Sequence, residues 1–510
     1  MDYMLERERI AVGEVIFDGC QEQPVDIDIN LPDYCPDIQR ILKCQIYPKI
    51  SSQSVTGDRL MLDGSYDVKI FYLDPDGKCV RCCETDDSFS AEIALKQQSE
   101  NALILASPRV EYVNCRASSP RRLNVHGAFS LCAKVISTGQ EDIVSNVAGD
   151  DIEQQKLQVP ISQLVGFAQQ QFSVDEVLEL GQGKPPVDSI VRADAYVNLQ
   201  EFKIASGKLM TKGEANVKFL YMTAGETSTL ETMEYSIPFT QMLDCAGAAD
   251  DSLCVVRLMV TGVEAQIKSD YSGEKFYFDT QIKIHASAQA YQKKETSLVS
   301  DIYSRKYELN IDAKQKVLDN ISEILKDSLT HKAEISMDDN PVGKIIDVWS
   351  EMANAEAQGA EGKITLNGKY SLCVLALNTE GTPFYFERLI DFDHEMPCTS
   401  TGELKCSADV SVGAVSYRIS GTGIEVKTEL RIRTEVLQRI SYKAVAAVTA
   451  DETKPLSRDE NAPLCLYFAD AGESLWNIAR EYRTSAEEIK AENGLSGDAV
   501  ENRGMLLIPM

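Results

Sequence analysis

The sequence predicts a mainly β protein: three tandem antiparallel β-sandwich-like repeats followed by a small βααβ module. Three observations carry this expectation. A glycine-centred pattern recurs as "DRLMLDGSYDVKIFYLDPDGK" from Asp58, "GKLMTKGEANVKFLYMTAGET" from Gly207 and "GKITLNGKYSLCVLALNTEGT" from Gly362. Within the copies, apolar residues alternate at period two, as in Val68, Ile70 and Tyr72 or Val217, Phe219 and Tyr221. Such alternation sets one strand face on a core and the other toward solvent. The last residues change pattern, with helical spacing held between two short apolar strands.

The repeat glycines Gly64, Gly213 and Gly368 lie 149 and 155 residues apart, a distance of one domain. Upstream of each is a proline-bearing loop and a short apolar run: "LPDYCPDIQRILKC", "GQGKPPVDSIVRAD" and "MDDNPVGKIIDVWS". Downstream of each is a turn and another alternating strand, such as Ile424, Val426, Thr428, Leu430 and Ile432. "DPDGK" (74–78) and "NTEGT" (378–382) carry hairpin chemistry, because glycine accepts positive φ at little cost. The expected boundaries are 1–145, 150–295 and 300–446 for the repeats, 447–463 for a linker and 464–510 for the module. One segment breaks the β pattern. In Ile311–His331, Val317, Leu318, Ile321, Ile324 and Leu325 have helical spacing behind Asp312, a possible cap, so a helix is predicted there. A weaker helical counterpart, 157–172, is interrupted by Pro160.

Charge bounds the partners. The chain has 510 residues and a net charge of −28, which disfavours nucleic acid and anionic lipid surfaces. Residues 1–20 interrupt every apolar run with a charge, so no secretory signal is predicted, and no window nears the ~18 apolar residues of a membrane span. The expected location is the cytoplasm. Fourteen irregularly spaced cysteines read as buried free thiols. "CVRCC" supplies Cys79, Cys82 and Cys83, but no second pair or nearby histidine completes a zinc set. Cys79 and Cys82 fall opposite Pro383 and Phe386 of the third repeat, so they read as packing positions. No metal and no cofactor is expected.

In the tail, Tyr467 and Phe468 form a first strand, followed by Gly472, Glu473, Ser474, Leu475 and Trp476. Leu475, Ile478, Ala479 and Tyr482 have the spacing of a buried helix face. Ser485, with Glu488 three residues on, opens a second helix that ends at Asn493–Gly494. Leu506, Leu507 and Ile508 close the unit. Exposed loops on a rigid scaffold are where recognition sits. The candidate binding residues are therefore Ala471, Gly472, Glu473, Ser474 and Leu475 on one loop and Asn493, Gly494, Leu495 and Ser496 on the other. Trp476 reads as core. The polar, proline-bearing "VTADETKPLSRDENAP" (448–463) reads as a mobile linker that lets the tail swing.

The repeat, with its "PDI" or "PVDSI" loop and "DG-Y-V-I-Y" strand, resembles the SPOCS domain of spore-coat-associated proteins. The tail resembles a LysM domain, with Ala471, Arg483 and Arg503 standing where that family usually has Pro, Gly and Pro. Triple SPOCS plus LysM resembles a family of spore coat morphogenesis and anchoring proteins. That resemblance implies a non-enzymatic scaffold made in the mother cell and working at the forespore surface. There it tethers the coat basement layer, and the LysM end binds a sporulation ATPase. Other coat proteins are further partners, and open sheet edges allow self-association. The alternative is a peptidoglycan-binding protein of spore cortex or wall. A hydrolase hidden in a β unit is a third reading, but no phosphate loop, HExxH or nucleophile elbow is present, so no catalytic residue is assigned.

Overall fold

The computed structural model describes every residue except 1, 100, 226–227, 270, 338–340, 361, 422, 456–463 and 510. Strands dominate, and each repeat builds two three-stranded antiparallel sheets. In the first unit, β1 (Met4–Asn30) and β5 (Ala102–Ser119) flank β6 (Arg122–Ala148), while β2 (Arg40–Thr56) and β4 (Val80–Ala94) flank β3 (Arg59–Leu73). The second unit repeats this order with β7 (Ile152–Glu179), β12 (Lys275–Ser304) and β11 (Leu253–Ser269) in one sheet. Its other sheet holds β8 (Val187–Ala205), β9 (Lys208–Thr223) and β10 (Leu230–Asp244). The third does so with β13 (Tyr307–Ile335), β18 (Gly423–Pro455) and β17 (Glu403–Ser420), facing β14 (Val342–Ala360), β15 (Lys363–Asn378) and β16 (Pro383–Pro397). Sandwich cores fill the space between paired sheets, with Val68, Phe129 and Val135 in the first and Leu366, Tyr370 and Leu430 in the third.

The repeat glycines have one physical reason. Gly64, Gly213 and Gly368 pair across the sheet with Phe89, Phe239 and Phe392. A Cβ on them would stand 2.7, 2.6 and 2.5 Å from the respective ring Cζ atoms. On the other side, a bulge in β2, β8 or β14 pushes a backbone carbonyl against the same spot. The aromatic ring thus lies over a bare backbone, a cross-strand device that pins register. Prolines obey the edge rule: Pro24, Pro48, Pro108, Pro160 and Pro238 all lie in edge strands, where a missing N–H breaks no ladder. The turn glycines Gly77 (φ 69°) and Gly381 (φ 82°) take the positive φ expected of them.

Four expectations change. Ile311–His331 is not a helix but lies in β13, paired with β18 over its whole length. A register shift at Ile321/Glu323 inserts an extra residue, which reverses the in–out phase. A strand with a phase reversal leaves apolar residues at 317, 318, 321, 324 and 325, which mimics helical spacing. Residues 157–172 likewise lie in strand β7. The free-thiol reading fails for one pair, because Cys20 on β1 and Cys132 on β6 are direct cross-strand partners joined by a disulfide. Finally, residues 447–455, expected in the linker, belong to β18, while 456–463 lie outside the described residues.

The units share interiors. Val144 and Val147 of the first, Val299 and Ile302 of the second, and Val445 and Val448 of the third form one cluster. Phe71, Leu220 and Leu375, equivalent in the three repeats, meet in another. Between these units runs a second kind of contact, a buried ion-pair cluster. Arg192 donates to Asp347 at 2.7 Å and lies 2.6 Å from Asp194, while Lys218 approaches Asp347 at 2.6 Å. Lys43 of the first unit pairs with Glu387 of the third. Lys43, Arg192 and Asp347 each stand directly after the first-half bulge of their strand, so they are one position in three copies.

Candidate functional site

The carboxy-terminal module consists of β19 (Leu464–Ala469), α1 (Leu475–Tyr482), α2 (Ala486–Asn493) and β20 (Gly504–Pro509). Leu475, Ile478 and Ala479 are the buried face of α1, as their spacing implies. Ser485 caps α2 by accepting from the Glu487 amide, and Gly494 (φ 63°) closes it in the left-handed region. Glu488 does not complete a reciprocal capping box; it accepts instead from the Thr484 hydroxyl at 3.1 Å. Arg483, where the LysM pattern has glycine, is itself held at φ 54°.

The first candidate loop is tied to the segment that follows the second. The Gly472 amide donates to the Val500 carbonyl at 2.8 Å, the Val500 amide to Glu473 at 2.9 Å, and the Leu475 amide to Asp498 at 3.0 Å. Glu473 anchors its own loop: its carboxylate accepts from the Tyr467 hydroxyl at 2.6 Å and from the Asp470 amide at 3.1 Å. The Tyr467 hydroxyl is correspondingly pushed up to about 12, chiefly by that hydrogen bond to Glu473. Asn493 is engaged inward, donating to the Ile489 and Leu507 carbonyls and accepting from the Leu507 amide. Leu475 is fully buried and Leu495 packs on the module core. The outward-facing members are Ala471, Gly472, Gly494 and Ser496, with Ser474 half-buried beside them. The Ser474 hydroxyl makes no capping bond to α1. Lys490 bridges Glu487 at 2.9 Å and Asp498 at 2.7 Å, which holds the Asp498 carboxyl below its ordinary value.

Two features escape a reading of the sequence. The module is docked, not free to swing. Tyr303 at the end of β12 is 1 % exposed and belongs to the module's core, and its hydroxyl donates to the Thr484 carbonyl at 2.7 Å. The Trp476 indole and Arg480 both donate to Asp301, at 3.0 and 2.7 Å. Trp476 is thus core and anchor together. Nothing local to the tail signals this, because the partner residues lie some 175 positions upstream. The second feature is the outer face of the β19–β20 sheet. Leu464 pairs with Pro509, Leu466 with Leu507 and Phe468 with Met505, so every outward position is apolar. Leu466, Phe468 and Met505 are 61, 63 and 63 % exposed. A sequence signal for this existed in "LCLYFA", which is apolar at both parities and not only at one.

Cys82 and Cys83 point to opposite faces of β4: Cys83 lies in the first sandwich core and Cys82 against the inter-unit cluster. Burial pushes the thiols up, to about 12 and about 11. Among the described residues no three His, Cys, Asp or Glu side chains are arranged to hold a metal. No helix of the described residues is long and apolar enough to cross a membrane.

The family model described as "SipL, SPOCS domain" matches residues 37–118 and 186–268, which are β2–β5 of the first unit and β8–β11 of the second. The LysM domain model matches 470–509. No curated protein and no solved structure matches the chain. The third unit, outside these matches, repeats the same sheet order and the same glycine–phenylalanine pair. The chain therefore carries SPOCS domains, matched in two of its three repeats, and a carboxy-terminal LysM domain, the make-up of a sporulation-related protein.

Proposed function

We propose that this chain is a non-enzymatic scaffold of endospore coat assembly. It works from the mother-cell cytoplasm and tethers the coat basement layer to the forespore surface, its LysM module docking the sporulation ATPase of that layer. Both matched domain types are binding domains without catalytic machinery. The observation that favours a protein partner is the outer face of β19–β20, apolar at every outward position. Contiguous exposed apolar surface marks protein contacts more than glycan contacts. The three units, at 4–148, 152–304 and 307–455, supply the rigid body that carries the module.

The second reading is peptidoglycan binding by the loops around Gly472 and Gly494, favoured by the LysM match itself. One experiment separates them. Full-length protein and a Leu466→Asp/Phe468→Asp variant are compared for coat localisation in sporulating cells and for retention on purified peptidoglycan. The tethering reading expects displaced coat in the variant. Retention on peptidoglycan in both proteins, with coat placement normal, overturns it in favour of the glycan reading.

A further inference from the structure

Where the first unit meets the second, their strands leave a cavity of about 250 Å³. β2 lines it with Ser51, Ser52 and Gln53, and β7 with Gln169, Gln170 and Gln171. Thr261 of β11 and His285 of β12 complete the polar wall. Among the described residues no charged side chain lines it, in a chain of which 25 % is charged. Burial holds the His285 imidazole below its ordinary value, so it too is neutral near pH 7.

Backbone contacts fix which way these groups face. In the edge strand β5, the Ile104 amide donates to Gln169 Oε1 at 3.2 Å, and the Ile104 carbonyl accepts from Gln53 Nε2 at 3.3 Å. Each carboxamide is thereby oriented, which leaves Gln169 Nε2 as a donor and Gln53 Oε1 as an acceptor. Gln53 Nε2 also lies 3.3 Å from His285 Nε2, so that nitrogen accepts and Nδ1 carries the proton. Gln171 Nε2 donates to the Thr261 hydroxyl at 3.3 Å and leaves its own oxygen to accept. Gln169, Gln170 and Gln171 are exposed. Among the described residues Gln53 Oε1 and His285 Nδ1 have no partner, and neither atom is buried.

The fold does not require this set. β2 and β8 are bulged at Ser51 and Gln200, and β7 and β13 at Val165 and Ser322. Counted from those bulges, Gln53 corresponds to Phe202 and Gln169 to Lys326. At the junction of the second and third units that pair is a cation over an aromatic ring, 5.5 Å from its centre. The first junction has two amides where the second has a direct contact.

A carboxamide presents a donor beside an acceptor, the pattern that a vicinal diol matches. A charged ligand would lose hydration here and meet no countercharge on the wall. The volume lies below the roughly 300 Å³ at which drug-sized sites begin. We propose that this junction binds an uncharged polyhydroxylated ligand the size of one sugar ring, its hydroxyls accepting from Gln169 Nε2 and donating to Gln53 Oε1 and Gln171 Oε1. The residues are none of those of the LysM module, and the test does not depend on the tethering reading.

The probes are D-glucose, D-glucosamine and D-glucuronate, which share a ring and differ in charge. Each is titrated into the full chain and followed by saturation-transfer NMR. The expected result is saturable binding of glucose, about tenfold or more tighter than either charged sugar. Gln169→Glu keeps an acceptor for the Ile104 amide and removes the free donor. Combined with Gln171→Ala, also at an exposed position, it should weaken glucose about fivefold or more with the melt retained. Gln53→Phe with Gln169→Lys, which installs the pair of the next junction, should abolish binding. Absence of saturable glucose binding by the folded protein overturns the proposal. So does equal binding of the charged sugars, or binding that survives Gln169→Glu/Gln171→Ala and therefore belongs elsewhere, the LysM loops included.

Discussion

At the scale of residues, three glycines and one arginine carry the most consequence. Gly213→Ala would place a Cβ 2.5 Å from the Asn198 carbonyl and 2.6 Å from the Phe239 ring. Backbone and ring would both have to move, so the substitution is expected to destabilise by about 2–4 kcal/mol, read from denaturant midpoints. Gly207→Ala, in an open turn, is the control and should cost only the strain of its positive φ. Asp347 is fully buried and takes both Arg192 and Lys218. Burial alone would lower the Arg192 guanidinium, but Asp194 and Asp347 raise it. Asp347→Ala removes the carboxylate that Arg192 and Lys218 share, leaving them only Asp194 and Glu234, and is expected to cost about 3 kcal/mol, while removing Glu234, exposed beside Lys218, should cost less than about 1. The glycines were legible in the sequence as a recurring position. Their reason was not, because Phe89, Phe239 and Phe392 sit 24 to 26 residues away and meet them only across a strand pair.

At the scale of elements, the β pattern was legible wherever alternation ran unbroken, as along β3, β9 and β15. It failed at β13, where a bulge converts period two into a false helical spacing. β13 also gives a pH expectation. Burial pushes Glu323 up, but the Ser400 and Thr399 hydroxyls and amides outweigh it and hold the carboxyl low. The His394 hydrogen bond, with the Ser328 amide, lowers Asp327. A depressed carboxylate adds stability that is present above its unfolded value and is lost as pH falls through its folded value. The third unit should therefore hold its melting temperature down to about pH 4.5 and lose it progressively below, and Glu323→Gln should flatten that slope. The disulfide between β1 and β6 spans 112 residues and ties the first sheet together. Breaking it with a reductant, or by Cys20→Ser/Cys132→Ser, is expected to cost about 2–4 kcal/mol, measured as a melt of the first unit against the same treatment of the other two.

At the scale of the molecule, triplication was legible, and so was the terminal module with its two helices. The way they meet was not. Shared clusters such as Val147 with Val299 and Val445 depend on strands that run past their own sandwich into a neighbour's. Docking of the module rests on Tyr303 and Asp301, which belong to the second unit and carry no local mark of that role. Tyr303→Ala with Asp301→Ala should free the module while sparing the three units. The expected signs are faster proteolytic release of the tail and a larger radius of gyration in solution scattering. An unchanged cleavage rate would mean that other contacts, such as Arg305 with Glu488, hold it.

Lys43, Arg192 and Asp347 occupy one position in three copies, yet they carry two signs of charge. A ring of three identical chains cannot do this, since any cation placed there faces two more of itself. Fusing the copies into a single polypeptide lifts that constraint, because each copy then diverges toward its own neighbour. The gain is a fixed seating order: the second unit recognises the third by Arg192 and Asp347, and the third recognises the first by Glu387 and Lys43. Replacing the second unit by a copy of the third, or the third by a copy of the second, would set like charges against each other at the buried Arg192–Asp347 contact. The gene duplications are thus no longer interchangeable parts, and the chain behaves as a heterotrimer whose stoichiometry is written into its covalent backbone.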